Sequence, residues 1–378
     1  MHDKKTSGRK LRTLQLASHK RIKRGGAIQL VRLANELQRR GHEAVCVFNR
    51  KRDELNLPEF QALRKSGLEV VSFRFDASGE KKRFRRWIRE RDFQILHAHR
   101  NQALVFACQA LLGRRRPLIV ASRGTIFPLK PFSWPRFCFR SNKVRCVTAV
   151  SAAVKDSLVS YGVKKHKIRV VYGSVDETEF HPAADGSALR AEWGGAADAP
   201  LVGNIAELEQ KKGHDIFFHA AQRVRRSIPQ CRFVCIGGGR PEKFNPLLEQ
   251  LGLVDAVSFA GHRSDIPQTI CAMDLVVSSA TMGEGLTGAV REAMSCARPV
   301  VATDVAGNTE IVQDGLNGRL VPIRDSQALA DAIIGLLRDP NLAQRLGQAA
   351  RQTVLERFTN QQRGELMERI YFELLDGR

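Results

Sequence analysis

The sequence has 378 residues, of which 43% are hydrophobic and 26% are charged, and its net charge is +22. These fractions are ordinary for a soluble globular protein. No run approaches the ~20 apolar residues that a membrane-spanning helix needs, and the polar N-terminus lacks the apolar core of a signal peptide. The length favours two domains.

The positive charge is concentrated in the first half of the chain. Residues 1–180 contain 40 Lys and Arg against 15 Asp and Glu, a net charge of +25. Residues 181–378 contain 21 against 24, a net charge of −3. We therefore expect different partners for the two halves, with an anionic partner for the first.

The eight cysteines are scattered along the chain. Most lie in apolar runs, and the closest pair, Cys231 and Cys235, flanks a strand-like segment, which does not suit a metal site. The cysteine pattern therefore favours reduced thiols in the core of a cytoplasmic protein.

Short β-rich runs alternate with longer helical patterns, which predicts doubly wound α/β domains. A polar stretch from Glu177 to Pro200 is predicted as a linker. We therefore expect one domain over residues 1–178, a second over 179–360 and a last helix over 361–378, with ligands in a cleft beyond the strand ends. The predicted strands are Leu11–Ala17, Ala44–Phe48, Val70–Phe73, Ile95–Ala98, Leu118–Ala121, Val144–Val150, Ile168–Val171, Leu201–Ile205, Phe233–Ile236, Ala256–Phe259, Leu275–Ser278 and Val300–Thr303.

Two glutamates eight positions apart flank a predicted strand-to-helix turn. Glu284 lies on the turn, and Glu292 lies about a turn and a half inside the following helix. The free amides of Leu286, Thr287 and Gly288 predict an anion site at the positive end of the helix dipole. Glu292 would then accept hydrogen bonds from a ribose. Taken alone, a reading in which Glu284 complements the dipole and Glu292 is merely solvated is equally consistent.

With the run that follows it, Ala293–Thr303, this segment resembles the retaining glycosyltransferases of the GT-B fold, the large group called family 4. The resemblance covers nearly the whole chain and implies two Rossmann-like domains that face each other across a cleft. It implies that Glu284 contacts hydroxyls of the donor sugar and Glu292 the ribose. The backbone around Gly285, Leu286 and Thr287 would bind the diphosphate.

The segments Val202–Ala206 and Lys211–His214 resemble the diphosphate-binding part of the same family. Lys212 takes the place of the family lysine, which stabilises the departing nucleoside diphosphate. Asn204 stands where the family most often has arginine. Because an amide donates a hydrogen bond but carries no charge, donor binding is expected to differ here. The alternative for Lys212 is a solvated lysine at a helix start.

In the first domain the resemblance points to five residues. Gly25 and Gly26 match the glycine loop that faces donor phosphate and acceptor. His97 and His99 end a predicted strand and are candidate acceptor contacts, although at least one is expected to be structural. Arg123 lies where many members have a histidine that contacts the donor, so Arg123 is expected to meet phosphate or an acidic sugar.

In the second domain Gly237, His262 and Arg263 lie where family members bind the nucleotide base. Members also return their C-terminal helix to the first domain, which would explain the predicted helix over residues 361–378.

The resemblance implies transfer of a sugar from a nucleotide sugar to a saccharide or lipid-linked saccharide, of the lipopolysaccharide or cell-envelope type, with retained configuration. No carboxylate pair typical of retaining hydrolases stands out. A front-side displacement fits better, with Lys212, Glu284 and Arg123 as the expected catalytic residues. No metal-ligand spacing is visible, so we expect neither a metal nor another cofactor.

Two segments combine cations with aromatic residues. In residues 81–89, Phe84, Trp87 and Ile88 share one helical face, and residues 132–140 are predicted as a loop. Both suit an anionic membrane surface, which predicts peripheral attachment to the inner face of the cytoplasmic membrane. The alternative for the helix is that its apolar face belongs to the core.

Two other classes of protein remain open from the sequence. A GT-B-fold epimerase would use a nucleotide sugar without an acceptor. A nucleic-acid-binding protein would use the basic half. No nucleic-acid-binding motif is present, and the charge does not explain the spacing of Glu284 and Glu292.

Overall fold

The computed structural model describes residues 9–19, 22, 25–194, 199–282 and 285–377. The chain divides into two compact units. The first unit contains Met1–Ser174 and Asn360–Arg378, and the second contains Val175–Thr359. The boundary between the units thus lies four residues before the one predicted from the sequence, which followed residue 178. The reason is that Val175 pairs with Thr359 and donates its backbone N–H to Phe358 O at 2.8 Å.

Each unit is built on one parallel sheet within the described residues. The strands are β1 Arg12–Ala17, β2 Glu43–Asn49, β3 Glu69–Phe73, β4 Ile95–His99, β5 Leu118–Arg123, β6 Val144–Ala149, β7 Ile168–Val170, β8 Leu201–Ile205, β9 Arg232–Ile236, β10 Val257–Gly261, β11 Leu275–Ser278, β12 Val300–Thr303 and β13 Arg319–Val321. Their order is β3-β2-β1-β4-β5-β6-β7 in the first unit and β10-β9-β8-β11-β12-β13 in the second. The short strand β13 was not predicted from the sequence.

Helices connect the strands and cover the sheets. They are α1 Gly26–Arg39, α2 Pro58–Lys65, α3 Glu80–Arg91, α4 Asn101–Ala110, α5 Trp134–Arg140, α6 Ala152–Ser160, α7 Ser187–Gly194, α8 His214–Ser227, α9 Asn245–Leu251, α10 Ile266–Ala272, α11 Gly288–Ser295, α12 Ser326–Arg338, α13 Pro340–Arg357 and α14 Asn360–Leu375. None of the helices in the described ranges is long and apolar enough to cross a bilayer.

The first unit buries both faces of its sheet, as parallel sheets require. Along β2 the side chains alternate between the faces. Val45 and Val47 pack into a core with Phe84 of α3, whereas Phe48 packs into a second core with Tyr371 of α14. The helix α14 thus belongs to the hydrophobic core of the first unit, although it lies at the far end of the sequence.

The aromatic face of α3 is part of the core. Phe84 is fully buried and Ile88 nearly so. Trp87 lies between Phe73 and Phe93, with ring centroids 5.5 Å and 5.3 Å away. These side chains pack within the first unit, so the prediction that α3 presents them to a membrane is wrong. The alternative reading of this helix is the one that the structure supports.

Residues 132–140, predicted as a loop, instead form the helix α5 over most of their length. Cys138 and Phe139 face the core, which fixes the helix against the sheet. The described cysteines are all free thiols, and all except the half-buried Cys108 are buried.

In both sheets the strand order reverses once, between β1 and β4 and between β8 and β11. At such a reversal the connections leave in opposite directions, which opens a crevice at the carboxyl ends of the strands. Most of the predicted site residues in the described ranges lie at or shortly after the carboxyl ends of strands.

Candidate functional site

The Lys212 turn, residues 210–213, follows strand β8 and precedes helix α8. Gly213 has φ 63°, and a Cβ there would overlap the carbonyl oxygen of Ser279, so only glycine fits without strain. Thr281 N donates to Lys211 O at 2.8 Å. The turn is therefore packed directly against the segment that leaves β11, and Lys212 stands at the β8/β11 reversal.

Asn204 lies within β8 and is buried rather than open to a ligand. Its Nδ2 donates to Ser279 Oγ at 2.9 Å, and Ser279 Oγ donates to Lys212 O at 2.9 Å. The amide nitrogen predicted to contact the donor is engaged in this chain of hydrogen bonds. In this structure Asn204 positions the backbone of Lys212 through Ser279.

Helix α11 begins at Gly288, with Thr287 as its N-cap residue. Thr287 Oγ1 donates to Asn308 Oδ1 at 2.6 Å, so the hydroxyl does not cap the helix. The amides of Gly288, Ala289 and Val290 have no intrahelical acceptor in their first-turn positions. Of the three amides predicted at Leu286, Thr287 and Gly288, only that of Gly288 belongs to the helix. With Ala289 and Val290 it provides the anion-binding end of the helix.

The loop before α11 is fixed by the turn after β12. A Cβ on Gly307 would lie 2.5 Å from Gly285 O and 2.8 Å from Leu286 Cα. Asn308 Nδ2 donates to Thr303 O at 2.9 Å, which ties this turn to its strand. Gly285, Leu286 and Thr287 are therefore positioned by close backbone packing against a neighbouring strand end.

Glu292 lies one helical turn after Gly288, on the same side of α11. Its Oε1 is 3.9 Å from the position of a Cβ on Gly288, so the carboxylate points back along the helix toward its N-terminus. The side chain is half-buried. The partner glutamate, Glu284, lies outside the described residues, as does Gly283.

The residues predicted to contact the base have different environments. Gly237 has φ 154°, and a Cβ there would overlap the backbone of Ala206 and Glu207. Arg263 makes two hydrogen bonds to Asp265, of 2.8 Å and 2.6 Å, and lies 5.3 Å from the ring centroid of Trp193. Those hydrogen bonds raise the pKa of Arg263 and lower the pKa of Asp265. His262 is exposed.

In the first unit, the two histidines of β4 are buried among polar side chains. His97 Nδ1 is 2.7 Å from Tyr371 Oη, and His97 Nε2 is 2.7 Å from Ser122 Oγ. His99 Nε2 is 2.9 Å from Gln15 Oε1. Burial, followed by the charge of Arg363, lowers the pKa of His97 to about 3. Both ring nitrogens of His97 are thus occupied within the unit, as expected for the structural member of the pair.

Arg123 ends strand β5 and is also buried. Its Nη1 donates to Asn101 Oδ1 at 3.1 Å, and its Nη2 donates to Phe127 O. Burial lowers its pKa below the usual arginine value. The guanidinium therefore links the start of α4 to the segment after β5, in addition to any contact with a ligand.

Gly25 is the N-cap residue of α1 and has φ 46°. A Cβ on Gly26 would lie 2.8 Å from His19 Nε2, so this glycine lets the helix start beside the end of β1. Burial, with Arg100 nearby, lowers the pKa of His19 to about 4. Arg24, which precedes the two glycines, lies outside the described residues.

Sequence reasoning did not single out His19, Ser279 or Asn308. Ser279 directly follows β11, and His19 follows β1 by two residues. The rule that ligands bind beyond the carboxyl ends of parallel strands could have indicated both. Nothing in the sequence marks Asn308, because its role depends on a hydrogen bond to Thr287. Among the described residues no group of His, Cys, Asp or Glu is arranged to hold a metal ion.

The structure has two parallel Rossmann-like sheets, with an uncapped helix start and a lysine turn at the strand reversal of the second. This is a two-unit α/β fold. The family model for glycosyl transferases group 1 matches residues 199–339, and that for glycosyltransferase family 4 matches residues 23–179. The chain belongs to this family of glycosyltransferases and is a transferase. The family and the GT-B α/β fold predicted from the sequence are thereby confirmed.

Individual proteins agree with this assignment. The chain is 36% identical to EpsD of Bacillus subtilis over 205 residues, 53% of each chain. It is 30% identical over 246 residues to the GDP-mannose-dependent alpha-(1-6)-phosphatidylinositol monomannoside mannosyltransferase of Mycolicibacterium smegmatis, 63% of each chain. The match thus spans about half to two thirds of these relatives. The crystal structure of Anabaena Alr3699/HepE in complex with UDP-glucose has a TM-score of 0.80 and 25% identity, over 97% of this chain and 100% of that one.

Proposed function

We propose that the chain transfers a sugar from a nucleoside diphosphate sugar to a hydroxyl of a saccharide acceptor, with retention of configuration. The observation that carries the proposal is the carboxyl edge of the second unit's sheet. The Lys212 turn, the uncapped start of α11 and the Glu292 carboxylate all lie there. The HepE complex contains UDP-glucose, which makes UDP sugars the first donors to test.

The groups at this edge suggest distinct roles. Lys212 and the amides at the start of α11 would neutralise the charge that develops on the diphosphate as it leaves. Glu292 would accept hydrogen bonds from the ribose, and Glu284 from hydroxyls of the donor sugar. The leaving diphosphate would take the proton of the acceptor hydroxyl on the same face of the sugar. Because lysine and amides supply the positive charge, we expect the reaction to need no metal.

For the acceptor we propose a saccharide or lipid-linked saccharide of the lipopolysaccharide or cell-envelope type, used at the inner face of the cytoplasmic membrane. The Mycolicibacterium smegmatis relative acts on phosphatidylinositol monomannoside, a lipid-borne saccharide. The net charge of +25 on residues 1–180 also favours an anionic surface or a phosphorylated acceptor.

Calorimetry with nucleoside diphosphates, together with turnover of the corresponding sugars, tests the donor site. Glu292→Gln should weaken binding of UDP at least about tenfold, because it removes charged hydrogen bonds to the ribose. Lys212→Ala should slow transfer by about 100-fold or more, because a donor to the leaving group is lost.

The neighbouring Lys211 offers a matched control, since it pairs with Glu209 at 2.6 Å. Lys211→Ala should leave transfer nearly unchanged, as should Glu249→Gln on the exposed side of α9. Normal kinetics in both Lys212→Ala and Glu292→Gln would contradict the proposal. Conversion of the donor sugar without any acceptor would instead indicate an epimerase.

A further inference from the structure

The aromatic residues that α5 and the segment before it present to solvent all fall within residues 127–137, which we call the aromatic patch. Phe127, Phe132, Trp134 and Phe137 are 41%, 107%, 62% and 72% exposed. Every other phenylalanine and tryptophan in the described part of the chain is buried or half-buried. A soluble protein scatters its exposed apolar side chains, so four aromatic residues within eleven positions mark an interaction surface.

The patch is built on a fixed scaffold. Leu129 and Phe139, of the same segment, are buried in the core of the first unit. Arg123 donates to Phe127 O, and Ser133 Oγ donates to Lys130 O at 2.7 Å. The exposed side chains therefore do not result from a segment that lacks packing.

Phe132 also has a backbone φ of 55°. This left-handed conformation is costly for a bulky residue and accumulates at functional positions. It turns the ring fully into solvent, where packing within the chain gives it no compensation.

The segment that contains the aromatic patch is cationic, because the chain has no acidic residue between Phe93 and Lys155. Six Lys and Arg residues of this segment are exposed, namely Arg100, Arg115, Arg116, Lys130, Arg140 and Arg145. Aromatic side chains at the level of lipid headgroups, with cations beside them, are the combination that binds an anionic bilayer surface.

We infer that residues 127–137 insert into the headgroup region of an anionic lipid bilayer, with Phe132, Trp134 and Phe137 as the inserted side chains. The alternative, that these aromatic side chains stack on the bases of a nucleic acid, is less consistent with the structure. Leu112, just after the helix that packs against α5, is 76% exposed and has no ring to stack on a base. Pro128, Pro131 and Pro135 lack backbone N–H donors, which reduces the cost of leaving water. The inference rests on the proposed membrane location and adds which segment of the chain contacts the membrane.

Trp134 provides a direct readout, since Trp87 and Trp193 are half-buried and buried. The full chain is mixed with vesicles of phosphatidylcholine and phosphatidylglycerol, or of phosphatidylcholine alone, at low and high salt. We expect co-sedimentation with the anionic vesicles at low salt and a blue shift of the tryptophan emission. In Trp134→Phe the protein should still bind, and the shift should disappear.

The variant Phe132→Gly/Trp134→Ser/Phe137→Ser should lower the vesicle partition coefficient at least about tenfold, because three inserted rings are lost. Its thermal unfolding should match that of the wild type, since the three side chains are exposed. The control Leu57→Ser/Val254→Ser/Leu316→Ser alters exposed apolar residues elsewhere and should bind vesicles like the wild type.

Equal binding by the triple patch variant would overturn the inference and leave charge alone as the cause. The inference would also be overturned if the wild type were a dimer in the absence of lipid and the patch variant a monomer. Binding of the wild type to RNA in place of vesicles would overturn it as well. Because these measurements involve no sugar transfer, failure of lipid binding and failure of the proposed reaction are separate results.

Discussion

Asn204 Nδ2 donates a 2.9 Å hydrogen bond to Ser279 Oγ, which joins the two strands at the order reversal of the second unit. Because the same hydroxyl donates to Lys212 O, the asparagine supports the Lys212 turn indirectly, through Ser279. In the structure Asn204 thus supports the backbone of Lys212, and its expected contact with the donor stays a prediction. Its uncharged amide fits this buried place, where an unpaired guanidinium would be costly.

Ser279→Ala tests this chain of hydrogen bonds. The change leaves Asn204 Nδ2 buried without its partner, which should lower the free energy of unfolding of the second unit by about 1–3 kcal/mol. Binding of UDP should weaken as well, because the Lys212 carbonyl loses its donor. Urea unfolding and calorimetry measure the two effects.

Ser264→Ala, at an exposed serine of the same unit, should change neither quantity. A double-mutant cycle with Asn204→Ala should give a coupling energy of about 0.5–3 kcal/mol. Additive effects of the two substitutions would show that the residues do not act together.

Gly307→Ala should disturb the loop before α11. The new methyl group would meet Gly285 O at 2.5 Å, and the contacting atoms are backbone, which cannot rotate away. We expect a loss of about 1–3 kcal/mol in stability and weaker nucleotide binding. Gly335→Ala is the matched control, because a Cβ in that helical position meets nothing within 4 Å. It should be neutral or stabilise by up to about 1 kcal/mol. Equal nucleotide affinity in both variants would contradict this role of Gly307.

Acid should destabilise the first unit through His97. Its pKa is about 3 in the fold, because of burial and Arg363, against about 6.5 in the unfolded chain. Below pH 6.5 the unfolded chain therefore binds a proton that the fold excludes. Stability should be independent of this group above pH 6.5. It should fall by up to about 1.4 kcal/mol per pH unit between pH 6.5 and pH 3.

Urea unfolding at several pH values measures this slope. His97→Gln cannot titrate, so its stability should fall less steeply over the same range, while His99, His19 and His214, whose pKa values are also lowered by burial, still contribute. Parallel pH profiles for the variant and the wild type would show that His97 does not titrate as described.

Arg123→Lys separates a positioning role from a catalytic one. A lysine ammonium cannot reproduce the separate hydrogen bonds to Asn101 and Phe127. Amide hydrogen exchange in residues 124–133 should therefore become faster. If turnover falls while this exchange stays unchanged, Arg123 acts on the donor and does not serve as a support.

The sequence determined the class of fold and the position of Glu292. Continuous apolar runs at regular spacing can be buried only as parallel strands between helices, and the family pattern places Glu292 within the helix after β11. The fold class depends on local periodicity, which a single sequence displays directly.

Only the tertiary structure decided which polar and aromatic residues are used internally. His97 meets Tyr371, 274 positions away, and no local pattern announces that partner. The aromatic faces of α3 and α5 look alike in the sequence. Phe84 packs on Phe73 of the sheet, whereas Phe132, Trp134 and Phe137 remain exposed. The difference arises because burial depends on which surface the sheet presents to each helix, and that surface is assembled from distant strands.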